Sequence, residues 1–231
     1  MSSPPQRPSV TADEELAAAI GADRALMLRQ VPAEVRPALE ALFQIDAAMA
    51  DVVARSTQPA LAAVKLAWWR ERLEDLDRGS VPAEPRLQAA AEILLPRGVS
   101  GADLAILEDG WATLLEEAVE PARVETRGAQ LFSLAGRLLA SQDEKIADAG
   151  SLYALVSVGR RGVPELLQQA NGPRKRVAKH RFARALRPLT ALARLAIRDL
   201  ESGPPFEQEG SPPRLAAMLR HRWSGIVTRG D

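Results

Sequence analysis

Between Pro59 and Gly79, Leu66, Trp69, Leu73 and Leu76 recur at three- and four-residue steps, the spacing that lines one face of an α-helix. Proline fits the first turn of such a segment because its missing N–H is not needed there, and glycine closes the segment without steric cost. Segments of this kind follow one another along the chain, and no run of alternating apolar and polar residues with β-branched enrichment interrupts them. The chain is therefore expected to be all-α. Apolar residues make up 46% of it and aromatics only 4%, so its core must be mostly Leu, Ala and Val, and Ala and Leu lose least on entering a helix.

The punctuation predicts the elements. Thr11 followed by Glu14 forms a capping box that opens a helix through about Gln30. Further helices are expected over 32–55, 59–79, 84–95, 101–118 (capped by Ser100), 121–141, 143–161, 164–170 and 175–201, the last bent at Pro188. Residues 1–10 read as a disordered arm, 11–202 as the helical domain and 203–213 as a linker, leaving 214–231 for an amphipathic C-terminal helix. On that helix Leu215, Met218, Leu219 and Trp223 are placed along one face, free to dock on the bundle or on another protein.

Several functions are disfavoured at once. Thirty basic residues balance thirty acidic ones, so net charge makes no case for nucleic acid. Cysteine is absent, which excludes disulfides, thiolate metal sites and a Cys nucleophile. No apolar core stands behind a basic start, and no stretch approaches the ~18 apolar residues of a membrane span. The expected location is cytoplasmic, with peripheral contact to a membrane left open. His180 and His221 lack metal-ligand spacing, and no metal site is expected. Tyr153, the single tyrosine, is expected in the core.

Trp68 and Trp69 stand side by side in the third helix with Arg70 next to them. Adjacent helical residues point about 100° apart, so the pair cannot share one direction. Trp69 belongs to the buried stripe, while Trp68 sits at its boundary beside Val64 and Arg72, where an indole can anchor a partner. Arg70 and Glu74 are spaced to pair.

Upstream, Pro32 and Arg36 form P-x-x-x-R, followed by Ala41-Leu42-Phe43; downstream, Leu66, Trp68, Trp69 and Arg70 form L-x-W-W-R. In order and spacing over about residues 20–80, this series resembles the N-terminal half of the squalene/phytoene synthase family. The W-W-R form is most similar to a branch that includes a respiratory complex I assembly factor. The resemblance implies an isoprenoid-synthase-like helical bundle. For the family's catalytic members it also implies head-to-head prenyl transfer, with Mg²⁺ held by two aspartate-rich motifs. Carboxylates and diphosphate oxygens would complete the near-octahedral shell that Mg²⁺ requires.

Placed on that pattern, the first motif falls on residues 50–54, where Asp51 alone survives as a vestigial candidate. Asp46, five residues earlier, points about 140° away. The second motif would fall on 150–162, which has no acidic residue, and "GADRALML" lacks the family's diphosphate-binding serine. The resemblance then implies a non-catalytic binding or respiratory-complex assembly-type protein without cofactor. Its partner would be a protein at the inner-membrane surface, and an isoprenoid or lipid could be held between helices. The alternative is a prenyltransferase whose diphosphate site is rebuilt from Arg160 and Arg161 alongside Asp51, which would need Mg²⁺.

The densest charge lies between Arg160 and Arg198, where eleven Lys/Arg face a single acid, Glu165. Arg174, Lys175 and Arg176 are the candidates there for an anionic surface, which gives a third possibility, a peripheral membrane adaptor. Phe182, Leu186, Leu189, Ala193 and Leu200 would form the apolar face beneath. The bland alternative is a solvated face balanced by the acidic stretch "LEDGWATLLEEAVE".

Overall fold

The computed structural model describes residues 11–229 and is all-helical, apart from one isolated bridge between Arg181 and Ile226. α1 (Ala12–Ile20) begins at the expected capping box: the Glu14 N–H donates to Thr11 Oγ1 at 3.3 Å, and the Thr11 N–H donates to the Glu14 carboxylate at 2.8 Å. The helix expected to run to Gln30 instead breaks at Gly21, whose φ of +95° lies outside the helical region, and resumes as α2 (Ala22–Leu28).

α3 (Arg36–Ala54) is the central helix, buried along Leu39, Leu42, Phe43, Ile45 and Met49. α4 (Pro59–Leu76) starts on its proline and buries Ala62, Leu66, Trp69, Leu73 and Leu76, the predicted stripe with one addition. After α5 (Pro85–Ala89) the chain passes through a π turn and a 3₁₀ turn, ended by Gly98 at φ +76°. The helix expected over 101–118 is cut into α6 (Gly101–Ala105) and α7 (Asp109–Ala112). α6 lies so close to α4 that a β-carbon on Gly101 would stand 1.9 Å from the Leu73 carbonyl oxygen. Its first N–H groups, on Gly101 and Ala102, donate to the Asp77 carboxylate at 2.6 and 2.8 Å.

α8 (Pro121–Leu138) and α9 (Ile146–Gly159) form the tightest pair. Gly128 and Gly150 face each other there, and a β-carbon on Gly150 would come within 2.1 Å of the Gly128 carbonyl oxygen. α9 buries nearly every residue, since it packs on α8, α10 (Glu165–Gln169), α11 (Asn171–Arg176) and α12 (Arg187–Ser202).

The helix expected over 175–201 is not continuous. α11 stops at Arg176, residues 177–186 turn back, and α12 starts with Pro188 in its first turn rather than bending there. The break is held from outside: the Lys179 and Phe182 N–H groups donate to the carbonyls of Thr228 and Gly225. α13 (Pro212–Ser224) docks on α12 and α2 through Arg214, Ala217, Met218 and His221. Of the face expected for it, Met218 is buried, Leu215 is half-buried, and Leu219 and Trp223 point outward.

Candidate functional site

The bundle interior is occupied by an ionic cluster. Asp46 on α3 is fully buried and accepts three hydrogen bonds: from the Arg24 guanidinium (2.7 Å), from Trp111 Nε1 (2.9 Å) and from the Arg127 guanidinium (2.7 Å). Arg24, on α2, also donates to the Tyr153 hydroxyl of α9 at 2.6 Å. Arg127, on α8, lies over the Trp111 indole, 3.9 Å from the ring centre. Gly110 makes this stacking possible, because a β-carbon there would meet the Arg127 β-carbon at 2.4 Å.

The electrostatics follow from burial and pairing. Burial acts to raise the Asp46 carboxyl, but Arg127 and Arg24 outweigh it and hold the group below the usual carboxylate range. Burial pushes the Arg127 guanidinium down, with Asp46 offsetting part of the effect. Two guanidiniums share one carboxylate, and Nε and one terminal nitrogen of Arg127 have no hydrogen-bond partner. Such a cluster ties five helices together, α2, α3, α7, α8 and α9. The gap next to it, bordered by Arg24, Tyr153, Arg160, Leu192 and Arg214, measures about 20 Å³, room for roughly one water molecule.

A second cluster closes the end of the bundle. Arg214 bonds Asp23 (2.7 and 2.9 Å) and Asp199 (2.6 Å), and Arg160 reaches Asp199 at 2.8 Å and the Glu207 carbonyl at 2.7 Å. Arg161 pairs with Glu209 at 3.1 Å, and the Gly210 N–H donates to Asp23. The segment following α12 is thus strapped across the end of α9 by charge.

The candidate residues named from sequence fall in separate places. Asp51 is half-exposed and pairs with Arg55 one turn on, at 3.1 Å. Arg160 and Arg161 meet the strap rather than Asp51. Trp69 is buried, and Trp68 is 41% exposed with its ring edge-to-face on Trp69 at 5.4 Å. Arg70 approaches Glu108 of the neighbouring turn at 3.8 Å, rather than Glu74; burial raises the Glu108 carboxyl. On α11, Arg176 pairs with Asp148 and Glu125, Arg174 is half-buried and Lys175 is exposed. The acids that pair with the basic segment include Asp148, Glu125, Asp199, Glu201, Glu207 and Glu209, none of which lies in 107–120. Tyr153 is a core residue, as expected.

Sequence reasoning missed the Arg24–Asp46–Arg127 cluster. Its signal was present: Asp46 interrupts the apolar face formed by Leu39, Leu42 and Met49, and Arg127 interrupts that formed by Val124 and Leu131. A charge on the buried stripe of a helix demands an opposite charge from another helix.

A Mg²⁺–diphosphate site of the aspartate-rich kind does not fit these residues. Asp51 stands alone and paired, Asp46 is spent on arginines, and among the described residues no three His, Cys, Asp or Glu side chains are grouped to hold a metal ion. Among those residues no helix is long and apolar enough to cross a membrane. Compared with known families, residues 17–129, from α1 into α8, match the model for squalene/phytoene synthase. No curated protein and no solved structure matches the chain.

Proposed function

The chain belongs to the squalene/phytoene synthase family through the match over residues 17–129, and from that membership we propose that it is a non-catalytic, binding or assembly-type member. Its all-α fold is the family's isoprenoid-synthase bundle. The observation that carries the proposal is the fate of Asp46: the buried carboxylate of α3 is bonded by two arginines and a tryptophan, so it stabilises the bundle rather than ligating a metal. The rebuilt diphosphate site considered above has no support, because Arg160 and Arg161 are engaged by Asp199 and Glu209.

The outer face of α4 is the proposed docking surface. Leu61, Val64 and Trp68 lie at three- and four-residue steps and are 50%, 66% and 41% exposed. An indole held edge-on by a buried neighbour is a rigid, half-wet anchor of the kind that dominates protein interfaces. In its specific form the proposal is a respiratory-complex assembly-type protein that meets a protein partner at the inner-membrane surface.

Two experiments test it. Titration with Mn²⁺ followed by electron paramagnetic resonance is expected to show no saturable site; a site lost in Asp51→Asn would overturn the non-catalytic role. A photoreactive phenylalanine analogue at position 68 is expected to crosslink one partner in membranes from the native cell, and the same analogue at position 106 is not. Equal crosslinking from both positions would remove α4 as the docking face.

A peripheral membrane role is favoured by one separate observation. Trp223 is 80% exposed and borders a groove of about 440 Å³ lined by Pro32, Ala185 and Pro188 together with Arg184, Arg187 and Arg222. An exposed indole among guanidiniums suits an anionic interface. Vesicles containing phosphatidylglycerol are expected to sediment the wild type but not Trp223→Ala; binding unaffected by that change would refute the role.

A further inference from the structure

In the groove that Trp223 borders, Arg184, Arg187 and Arg222 share the lining with Pro32, Ala185 and Pro188. Arg181 stands beside them, its Nε donating to the Ser224 carbonyl at 2.8 Å. Among the described residues none of these four guanidiniums is paired with a carboxylate. Burial and the like charges of Arg181 and Arg184 push the Arg187 guanidinium down.

The backbone around the groove does not offset this charge. Arg187 donates from Nε to the Phe182 carbonyl at 3.1 Å and from Nη1 to the Arg222 and Trp223 carbonyls, each at 3.1 Å. With Arg181 on Ser224, the carbonyls that form the negative pole of α13 are thus covered by cations. That pole amounts to about half a charge. Arg184 and Arg222 are exposed, and their full charges remain. The other lining residues are apolar, and the indole next to them is 80% exposed. Leu219, one turn before Trp223, is 47% exposed and extends that surface.

A groove of about 440 Å³ suits a small ligand, and its two kinds of surface suit one molecule with an anionic head and a hydrocarbon chain. Guanidinium forks match the oxygens of a phosphate two at a time. Adsorption to a bilayer by charge alone needs no concave apolar floor. We propose that the groove binds a single anionic phospholipid, its phosphate on Arg184, Arg187 and Arg222 and one acyl chain along Pro32, Ala185 and Pro188. The inference rests on the peripheral membrane reading and deepens it, by naming the lipid and the residues that take each part of it.

The test is calorimetric titration of the full chain at low salt with dihexanoylphosphatidic acid, kept below its micelle concentration so that no bilayer is present. Saturable binding is expected. Dihexanoylphosphatidylcholine, with the same chains and no net charge, is expected to bind at least about tenfold more weakly. Arg184→Gln with Arg222→Gln should weaken phosphatidic acid binding about tenfold or more, and so should Ala185→Trp, which keeps the charge and fills the groove. All three positions are exposed, and circular dichroism checks folding. The charge-matched control, Arg86→Gln with Arg97→Gln, is expected to bind as wild type. No saturable binding overturns the proposal, as does equal affinity for the two lipids, wild-type binding by Ala185→Trp, or equal weakening in the control. Sedimentation with phosphatidylglycerol vesicles by a chain that ignores monomeric phosphatidic acid removes the lipid site and leaves the membrane reading. Binding of the monomeric lipid without sedimentation supports the site and removes the membrane reading.

Discussion

Replacing Asp46 by Asn keeps the shape of the side chain and removes its charge, leaving Arg24 and Arg127 buried without a counter-ion. Breaking a buried ion pair from one side costs about 3–5 kcal/mol. For a chain of this size each kcal/mol lowers Tm by about 2–4 °C, so the melting temperature is expected to fall by roughly 6–20 °C. Arg127→Met is expected to cost less, about 1–2 kcal/mol. Asp46 would keep Arg24 as its partner, and the two unbonded Arg127 nitrogens would leave the core.

The pH dependence has a definite sign. The Asp46 carboxyl is held below its ordinary range in the folded chain, so its contribution is complete above the unfolded value of about 4 and is lost as pH falls through the lower folded value. The gap between wild type and Asp46→Asn should therefore be full at pH 7 and narrow in acid below pH ~4. Urea denaturation followed by circular dichroism at pH 7 and pH 3 measures both effects. An Asp46→Asn protein within about 1 kcal/mol of wild type at pH 7, or an Arg127→Met protein less stable than Asp46→Asn, would refute the assignment.

Other consequences follow from the packing. Gly150→Ala drives a β-carbon into the Gly128 carbonyl and is expected to cost about 1–3 kcal/mol by thermal denaturation. Gly79→Ala, with open space around it but φ at +80°, should cost only about 1 kcal/mol; equal losses would contradict the α8–α9 contact. Burial lowers the His221 imidazole to about 4 from an ordinary 6.5. The unfolded chain takes up that proton first, so stability is full above pH 6.5 and declines towards pH 4, by about 3 kcal/mol in total. His221→Gln should flatten this slope, and an unchanged slope would show that the imidazole is not the group responsible. Arg214→Met leaves Asp23 without its guanidinium partner and should release the strap, read as faster proteolysis within 203–211; wild-type resistance would show that the strap is held by other contacts.

Much of the fold was legible because its causes are local. The stripe of α4, the Thr11 and Ser100 caps and the proline starts of α4 and α8 depend on residues within a turn or two of one another. The breaks near 106–108 and 177–186 were not legible in the same way. Backbone groups at 179 and 182 are satisfied by residues 228 and 225, a tertiary bond that no local pattern records. Gly21 was read as one more helical residue because its left-handed role depends on α2 turning to set Asp23 against Arg214 and Gly210. That residues 50–54 hold a single carboxylate and 150–162 none was readable position by position. The bonding of Asp46 to arginines 22 and 81 residues away required the fold.

We propose that this bundle keeps the family's architecture without its chemistry. Incubation of the full chain with farnesyl or geranylgeranyl diphosphate and Mg²⁺, with released diphosphate measured, tests it most directly. Release is expected to be no faster than in buffer, and identical for wild type and Asp51→Asn. Mg²⁺-dependent release by the wild type that disappears in Asp51→Asn would contradict it.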